Sequence, residues 1–150
     1  MFLEPSFSSI EPILNKLQKN TTPRWGSMSA QRMIEHLSDN LHMAIGLGNY
    51  SLAIPVEKIE KMQSFLHSSK PMARDIKVYF APENYTLRNT TFELAKQEFH
   101  DAWMAFESYY EDFPKQRAVH PFYGHLDKSL WLLLISKHFT HHFQQFGLID

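Results

Sequence analysis

One stretch of the sequence constrains the fold more than any other. Between positions 91 and 113, an apolar side chain recurs at alternating steps of three and four residues. This spacing indicates the apolar face of a helix that packs against other helices. We therefore predict a long helix over about 91–112, with Thr90 and Glu93 as its capping box. Its predicted core positions are Phe92, Ala95, Phe99, Ala102, Phe106, Tyr109 and Phe113.

Shorter periodic patterns predict four further helices. Ser27 or Ser29 is placed to cap the second of the five helices, and Asp127 is placed to cap the last one. Gly147 follows the last apolar position and is expected to end that helix. The four additional helices are predicted at about 9–20, 29–46, 55–68 and 128–146.

The segment 69–89 contains Pro71 and Pro82 and is expected to be a long crossover. Within it, Ile76–Phe80 has the composition of a strand, but it is too isolated in the sequence to predict one. A length of 150 residues suits a single domain. We predict an all-α domain over 1–150, in which 1–22 form an N-terminal helix and linker and 23–147 form the core. The expected architecture is a four-helix bundle with one long crossover and an extra short N-terminal helix.

Composition excludes several classes of function. The chain has no Cys, so it has no thiol nucleophile, disulfide or thiolate metal site. With 15 basic and 16 acidic side chains it lacks the positive charge expected of a nucleic-acid-binding protein. Its longest apolar run, Leu130–Ile135, is too short for a bilayer span, and its N-terminus does not resemble a signal peptide. We expect a cytoplasmic protein with no membrane or nucleic-acid partner.

Three of the nine histidines lie on the predicted last helix. At about 100° per residue, His142 falls about 40° from His138, and His141 about 60° on the other side of it. The apolar side chains of the helix share this arc, which puts His138 and His142 on the apolar face and His141 at its border. The polar side chains of the opposite arc are Lys137, Thr140 and Gln144.

Two imidazoles one helical turn apart on a buried face require partners, because burying an unsatisfied polar group is costly. Such an i, i+4 pair can chelate one divalent cation. The intervening residues 139–141 contain no Glu, so the pattern is not that of a zinc protease. The alternative is that His138 and His142 are core residues bonded to carbonyls or to a carboxylate on another helix. Their spacing leaves both interpretations open.

A third metal ligand would have to come from another helix. On the predicted second helix, His36 borders the apolar face, whereas His42 points away from it. His36 is therefore the better candidate. His67 and His100 stand alone on their helices and are expected to be solvated.

His120 and His125 flank the loop 121–124, just before the last helix. A structural role is expected for both, although either could lie near a site at the mouth of the bundle. Gln145, His141 and Asn40 are candidates to orient the ligand imidazoles from outside the coordination sphere. The sequence contains no nucleophile elbow, phosphate loop or dinucleotide fingerprint that would indicate a different active site.

Three motifs follow one another along the chain: Trp-Gly-Ser-Met-Ser at 25–29, His-Pro-Phe-Tyr-Gly at 120–124, and Lys-His-x-x-His-His-x-x-Gln-Phe-Gly at 137–147. With a single His36 followed by Leu on an early helix, this pattern resembles the DinB/YfiT-like superfamily of helical-bundle proteins. It is most similar to an uncharacterised branch of that superfamily, of unknown function. The motifs cover about residues 23–147.

The resemblance implies a four-helix bundle in which three histidines bind one divalent metal ion. Matched by position, the ligands would be His36, His138 and His142, the same residues that the helical geometry favours. Characterised relatives include thiol S-transferases and a thiol-dependent isomerase, and the resemblance also implies a homodimer. No residue of this chain matches a thiol-binding motif.

Three neutral imidazoles would leave coordination positions of the metal open, as in catalytic rather than structural sites. The expected metal is Zn or Ni. It would activate water or an exogenous low-molecular-weight thiol, as in a hydrolase or a thiol S-transferase acting on a small electrophile. The sequence leaves open whether the protein is an enzyme. One alternative is a non-catalytic metal-binding or stress-associated bundle, which a fourth ligand such as His141 or His120 would favour. Another is a helical interaction module with no metal.

Overall fold

The computed structural model describes residues 1–82 and 84–150, which form a mostly helical structure with one small sheet. The predicted helical class is therefore confirmed in its main features. A 3-10 turn at Val56–Lys58 leads directly into the third helix. The helices are α1 (Phe7–Leu14), α2 (Ala30–Ala44), α3 (Ile59–His67), α4 (Phe92–Asp112) and α5 (Lys128–Gln145), and the strands are β1 (Ala118–His120) and β2 (Gly124–Leu126).

Side-chain caps explain where the helices begin. Ser29 caps α2 and Asp127 caps α5, each accepting a hydrogen bond from the backbone N–H three residues ahead. The predicted Thr90 cap of α4 is wrong by one residue, because Thr91 Oγ1 accepts from the N–H of Leu94 at 3.1 Å. The first helix begins earlier than predicted, since Ser6 caps it, and it ends at Leu14 rather than near position 20.

The all-α prediction includes no strand, but the structure contains a two-stranded sheet. β1 and β2 pair antiparallel, with Ala118 opposite Leu126 and His120 opposite Gly124. Gly124 has a φ of +79°, which a residue without a Cβ adopts at little cost, so the chain can turn back there. Strands of three residues are too short to produce a detectable alternation of apolar and polar positions. Within the described residues, Ile76–Phe80 forms no strand.

The core lies between α2, α4 and α5. Helix α2 packs against α4 and α5, α5 also packs against α3, and the hairpin contacts α2 and α5. The predicted apolar face of α4 is buried over its first four turns, whereas Phe113 lies beyond the helix end and is 51% exposed. A straight helix drifts by about 20° per heptad from a strict seven-residue repeat, so Trp103 and Tyr110 also turn into the core. The buried predicted positions are Phe92, Ala95, Phe99, Ala102 and Phe106.

Helix α5 is covered on nearly all sides, which the sequence does not predict. Lys137 and Thr140, assigned to its polar face, are buried. The N–H of Leu3 donates to Thr140 Oγ1 at 2.9 Å, so the N-terminal segment covers this face. Lys137 Nζ donates to the carbonyls of Ser68 (2.8 Å) and Lys70, just after α3. Among the described helices, none is long and apolar enough to cross a membrane.

The crossover is fastened to α2 by a buried carboxylate. Glu35 is fully buried and accepts five hydrogen bonds. Two of them come from the backbone N–H groups of Arg88 and Asn89, at 2.9 and 3.2 Å. Tyr85 Oη donates another at 3.1 Å. The end of the crossover is thereby held beside the helix that carries His36.

Candidate metal centre

Three imidazoles from two helices converge, with His142 buried and His36 and His138 half-buried. His36 Nε2 of α2 lies 2.9 Å from His138 Nε2 of α5, and His138 Nε2 lies 3.0 Å from His142 Nε2. Ligand atoms of the three residues lie within 4.8 Å of one another. The i, i+4 spacing aligns the two histidines of α5, and the contact between α2 and α5 brings His36 to them. The structure thus brings together the three residues that the sequence singles out.

The spacing of these nitrogens suits a shared cation. Zinc bonds to imidazole nitrogen at about 2.0–2.1 Å, so two ligand nitrogens at angles of about 90–110° lie about 2.9–3.4 Å apart. The contacts between His36, His138 and His142 at 2.9 and 3.0 Å are at the short end of this range. The three histidines lie close enough together to bind one metal ion.

The protonation state of the cluster also suits a metal. Burial, reinforced by the neighbouring histidines, lowers the pKa of His36 and His138 well below the usual histidine value. Burial lowers the pKa of His142 to about 3. All three rings are therefore neutral near pH 7, and a neutral imidazole is the form that binds a metal.

A network behind His142 sets which of its nitrogens faces the cluster. Gln145 Nε2 donates to the carbonyl of Trp25 at 3.1 Å, so the amide oxygen of Gln145 must face the other way. That oxygen accepts a hydrogen bond from His142 Nδ1 at 2.8 Å. With its proton on Nδ1, neutral His142 directs the lone pair of Nε2 at His138. The predicted orienting role of Gln145 therefore has a direct geometric basis.

Ordinary core histidines would bond to carbonyls or carboxylates, and the described residues provide no such partner for these three rings. Among the described residues, the rings of His36, His138 and His142 form hydrogen bonds only with one another and with Gln145. No carbonyl or carboxylate of residues 1–82 or 84–150 accepts a hydrogen bond from these rings. His138 Nδ1 is buried and also lacks a partner in this part of the chain. His142 directs the lone pair of Nε2 at this cluster, where a bound cation would satisfy it.

The other predicted orienting residues do not contact the cluster in this way. The ring of His141 packs edge-on against Trp25, with centroids 5.6 Å apart. Asn40 is buried, but over the described residues it forms no hydrogen bond with the three imidazoles, and its Oδ1 lacks a partner. No fourth His, Asp or Glu joins the group within residues 1–82 and 84–150. His141 and His120 are thus not additional ligands in this arrangement.

The remaining histidines lie elsewhere. His120, on the hairpin, is buried beside Trp131 and Tyr123, and its Nδ1 accepts from the N–H of Phe122 at 3.0 Å. This is the structural role expected of it. The exposed histidines are His67, His100 and His125, and His42 is half-buried.

Sequence reasoning missed the function of the segment that precedes α2. Trp25 contributes its backbone carbonyl and Gly26 contributes the absence of a side chain. Neither contribution can be recognised from the residue type in the sequence. Gly26 has a φ of +76°, and a Cβ placed there would lie 3.1 Å from Gln145 Nε2. The segment therefore packs directly against the amide that orients His142.

Comparisons with protein-family models, with curated proteins and with solved structures find no match to this chain.

Proposed function

We propose that the protein binds one divalent metal ion through His36, His138 and His142 and uses it as an enzyme. Its reaction would be of the hydrolase or thiol S-transferase type. The observation that carries this proposal is the convergence of three neutral imidazoles, with no fourth His, Asp or Glu ligand among the described residues. Three protein ligands leave room for a small molecule, which distinguishes catalytic from closed structural sites.

The chain's own residues have defined tasks in such a reaction. His36, His138 and His142 would hold the cation, and Gln145 would keep the His142 ring in its ligating orientation. A bound divalent cation would supply Lewis acidity and lower the pKa of a water or thiol that joins it. Since the chain has no Cys, a thiol would have to come from a separate molecule. Zn and Ni are the metals proposed, because imidazole suits both.

The packing of the helices supports a relationship to the DinB/YfiT-like superfamily. Helices α2, α3, α4 and α5 account for most of the helical residues, and 68–91 form the long connection between α3 and α4. We propose that these four helices constitute a four-helix bundle of that type, with α1 as an addition. The His36 and His138/His142 positions on the second and last helices support this assignment. The homodimer implied by the resemblance is part of the same proposal.

Elemental analysis of the untagged protein tests the metal site. We expect about one equivalent of Zn or Ni after incubation with either metal, and loss of that equivalent in His36→Ala, His138→Ala and His142→Ala. The matched controls are His67→Ala and His100→Ala, since both side chains are exposed and neither belongs to the group of three histidines. A wild type that stays empty, or loss of metal in the two controls as well, would contradict the proposal.

Ligand exchange at a Co²⁺-substituted site separates an enzyme from a metal-storage or structural protein. We expect azide or a small thiol to change the visible spectrum of the cobalt protein, because open coordination positions accept exogenous ligands. A spectrum that neither ligand alters would support the non-catalytic metal-binding alternative. The three His→Ala variants, which should not bind cobalt, provide the baseline.

A further inference from the structure

An arginine stands beside the candidate metal centre. Arg32 lies one helical turn before His36 on α2, so both side chains project from the same helix face. Only 9% of its surface is exposed. Residues four positions apart on a helix are neighbours on its surface, so Arg32 lies next to one of the three proposed ligands.

The guanidinium of Arg32 is held in place without being neutralised. Its Cζ lies 3.7 Å from the centroid of the Tyr85 ring, which fixes the plane of the group by stacking. Nη1 is buried and has no hydrogen-bond partner among residues 1–82 and 84–150. A buried, oriented and unpaired guanidinium is costly unless a ligand satisfies its donors.

The nearby carboxylates are occupied by other groups. Glu35 already accepts five hydrogen bonds, none from Arg32. Asp39 pairs with Arg88 Nη2 at 2.7 Å, and Glu98 pairs with the same nitrogen at 2.8 Å. In the described part of the chain, no carboxylate forms an ion pair with Arg32.

The charge balance of the site favours an anion. Imidazole binds a metal in its neutral form, so a divalent cation held by three histidines would keep its full charge, and Arg32 adds a positive charge on the same face of α2. A planar guanidinium can donate to a carboxylate through two parallel N–H groups, and Nη1 of Arg32 has no partner among residues 1–82 and 84–150. A molecule that placed a metal-binding group on the cation and a carboxylate on the guanidinium would satisfy both.

We propose that Arg32 recognises a carboxylate on the small molecule that binds at the three-histidine site. The substrate class is then a carboxylate-bearing thiol, or an acid whose second donor group reaches the cation. This inference rests on the proposed metal-binding function and specifies its ligand. The single observation that carries it is the unpaired, nearly buried guanidinium of Arg32 stacked on Tyr85 one turn from His36.

Matched thiols test this proposal on the Co²⁺-substituted protein. The probes are 3-mercaptopropionate and its methyl ester, which differ in charge at one end, and thiolate-to-cobalt absorption reports their binding. We expect the acid to bind roughly 10- to 100-fold more tightly than the ester, the factor that corresponds to one charge-assisted hydrogen-bonded pair. Inorganic phosphate is included as a competitor, and we expect it to displace the acid less well than free propionate does.

Variants assign the preference to one side chain. Arg32→Gln should bind cobalt as the wild type does but lose the preference for the acid, and Arg32→Lys should keep part of it. Arg74→Gln is the control, because Arg74 is an exposed arginine that stacks on Trp25, whose ring contacts His141. That variant should retain the full preference, which excludes an effect of general positive potential.

Equal binding of acid and ester by the wild type would overturn the inference, as would a preference that survives in Arg32→Gln. Stronger competition by phosphate than by propionate would overturn the assignment to carboxylates. A protein that takes up no cobalt would instead show that the proposed function itself is wrong, and this inference would fall with it. If Arg32→Gln does not fold, the preference of the wild type for the acid over the ester, and its partial retention in Arg32→Lys, still test the inference.

Discussion

The amide oxygen of Gln145 accepts a hydrogen bond from His142 Nδ1 at 2.8 Å, one turn along the same helix. The amide nitrogen is bound to the carbonyl of Trp25, so the amide cannot rotate without losing a second hydrogen bond. The ring of His142 is therefore held with Nε2 towards His138 whether or not a metal is present. Pre-orientation of this kind lowers the entropy lost when a ligand ring binds a cation.

Replacing Gln145 should weaken metal binding without removing a ligand. We expect Gln145→Leu to lose about 10- to 100-fold in Zn²⁺ affinity, the usual effect of removing the group that orients a ligating histidine. The measurement is competition with a chromophoric chelator. Gln144→Leu is the matched control, since the Gln144 side chain donates to the carbonyl of Asp150 and not, within the described residues, to the cluster. Equal affinities in the two variants would show that Gln145 does not orient the ligand.

A methyl group at Gly26 should disturb the same network from the other side. Its Cβ would lie 3.1 Å from Gln145 Nε2, and the φ of +76° is strained for any L-residue. We expect Gly26→Ala to lower both the free energy of unfolding, by about 1 kcal/mol, and the Zn²⁺ affinity. Gly46→Ala separates the two effects, because Gly46 has a φ of +82° but nothing within 4 Å of the added Cβ. Gly46→Ala should lower the free energy of unfolding but leave the Zn²⁺ affinity unchanged. A lower Zn²⁺ affinity in Gly46→Ala would show that the effect at Gly26 does not depend on contact with Gln145.

The metal-free protein should lose stability as the pH falls below about 6.5. Burial lowers the pKa of His120 and of His142 to about 3, whereas the unfolded chain takes up protons near 6.5. Below that pH the unfolded state binds more protons than the folded state, so acid favours unfolding. Each histidine that stays neutral in the fold contributes about 1.4 kcal/mol per pH unit between these two values.

Urea unfolding in the presence of a chelator, followed by tryptophan fluorescence from pH 7.5 to 4.5, measures this dependence. In His120→Asn the amide oxygen can still accept a hydrogen bond from the N–H of Phe122. This variant should show a weaker dependence of the free energy of unfolding on pH, reduced by the contribution of one histidine. His67→Asn should leave it unchanged, since His67 is exposed. Parallel profiles for the wild type and His120→Asn would show that His120 is not held neutral in the fold.

Removing the buried carboxylate of Glu35 should detach the crossover from α2. Burial opposes its ionisation, but the hydrogen bonds from Arg88, Gln31 and Asn89 outweigh burial and lower the pKa. Glu35→Ala would leave the backbone N–H groups of residues 88 and 89 without their acceptor. We expect a loss of about 2–4 kcal/mol in the free energy of unfolding. Protease cleavage within 69–89 should become faster.

The control for Glu35→Ala is Glu111→Ala, an exposed carboxylate near the end of α4. Its effect on the free energy of unfolding should stay within about 0.5 kcal/mol, as for most surface substitutions. A Glu35→Ala variant as stable as this control would show that other contacts of the segment are sufficient.

Local patterns in the sequence determined the helices and most of the candidate ligands. The apolar repeat of α4, the Asp127 cap and the i, i+4 pair of His138 and His142 depend on residues within a turn or two of one another, and such spacings are readable along the chain. His36 was accessible to the same reasoning, because its position on the face of α2 follows from the helical period.

Only the tertiary structure decided what surrounds those histidines. The carbonyl of Trp25 reaches Gln145 across 120 positions of the chain, and the N-terminal segment buries Thr140 across 137. Within the described residues Arg32 forms no ion pair, because Arg88 pairs with Asp39 and the backbone of the crossover donates to Glu35. These relationships have no local spacing, since they arise from the competition of distant groups for the same partners, and that competition exists only once the chain has folded.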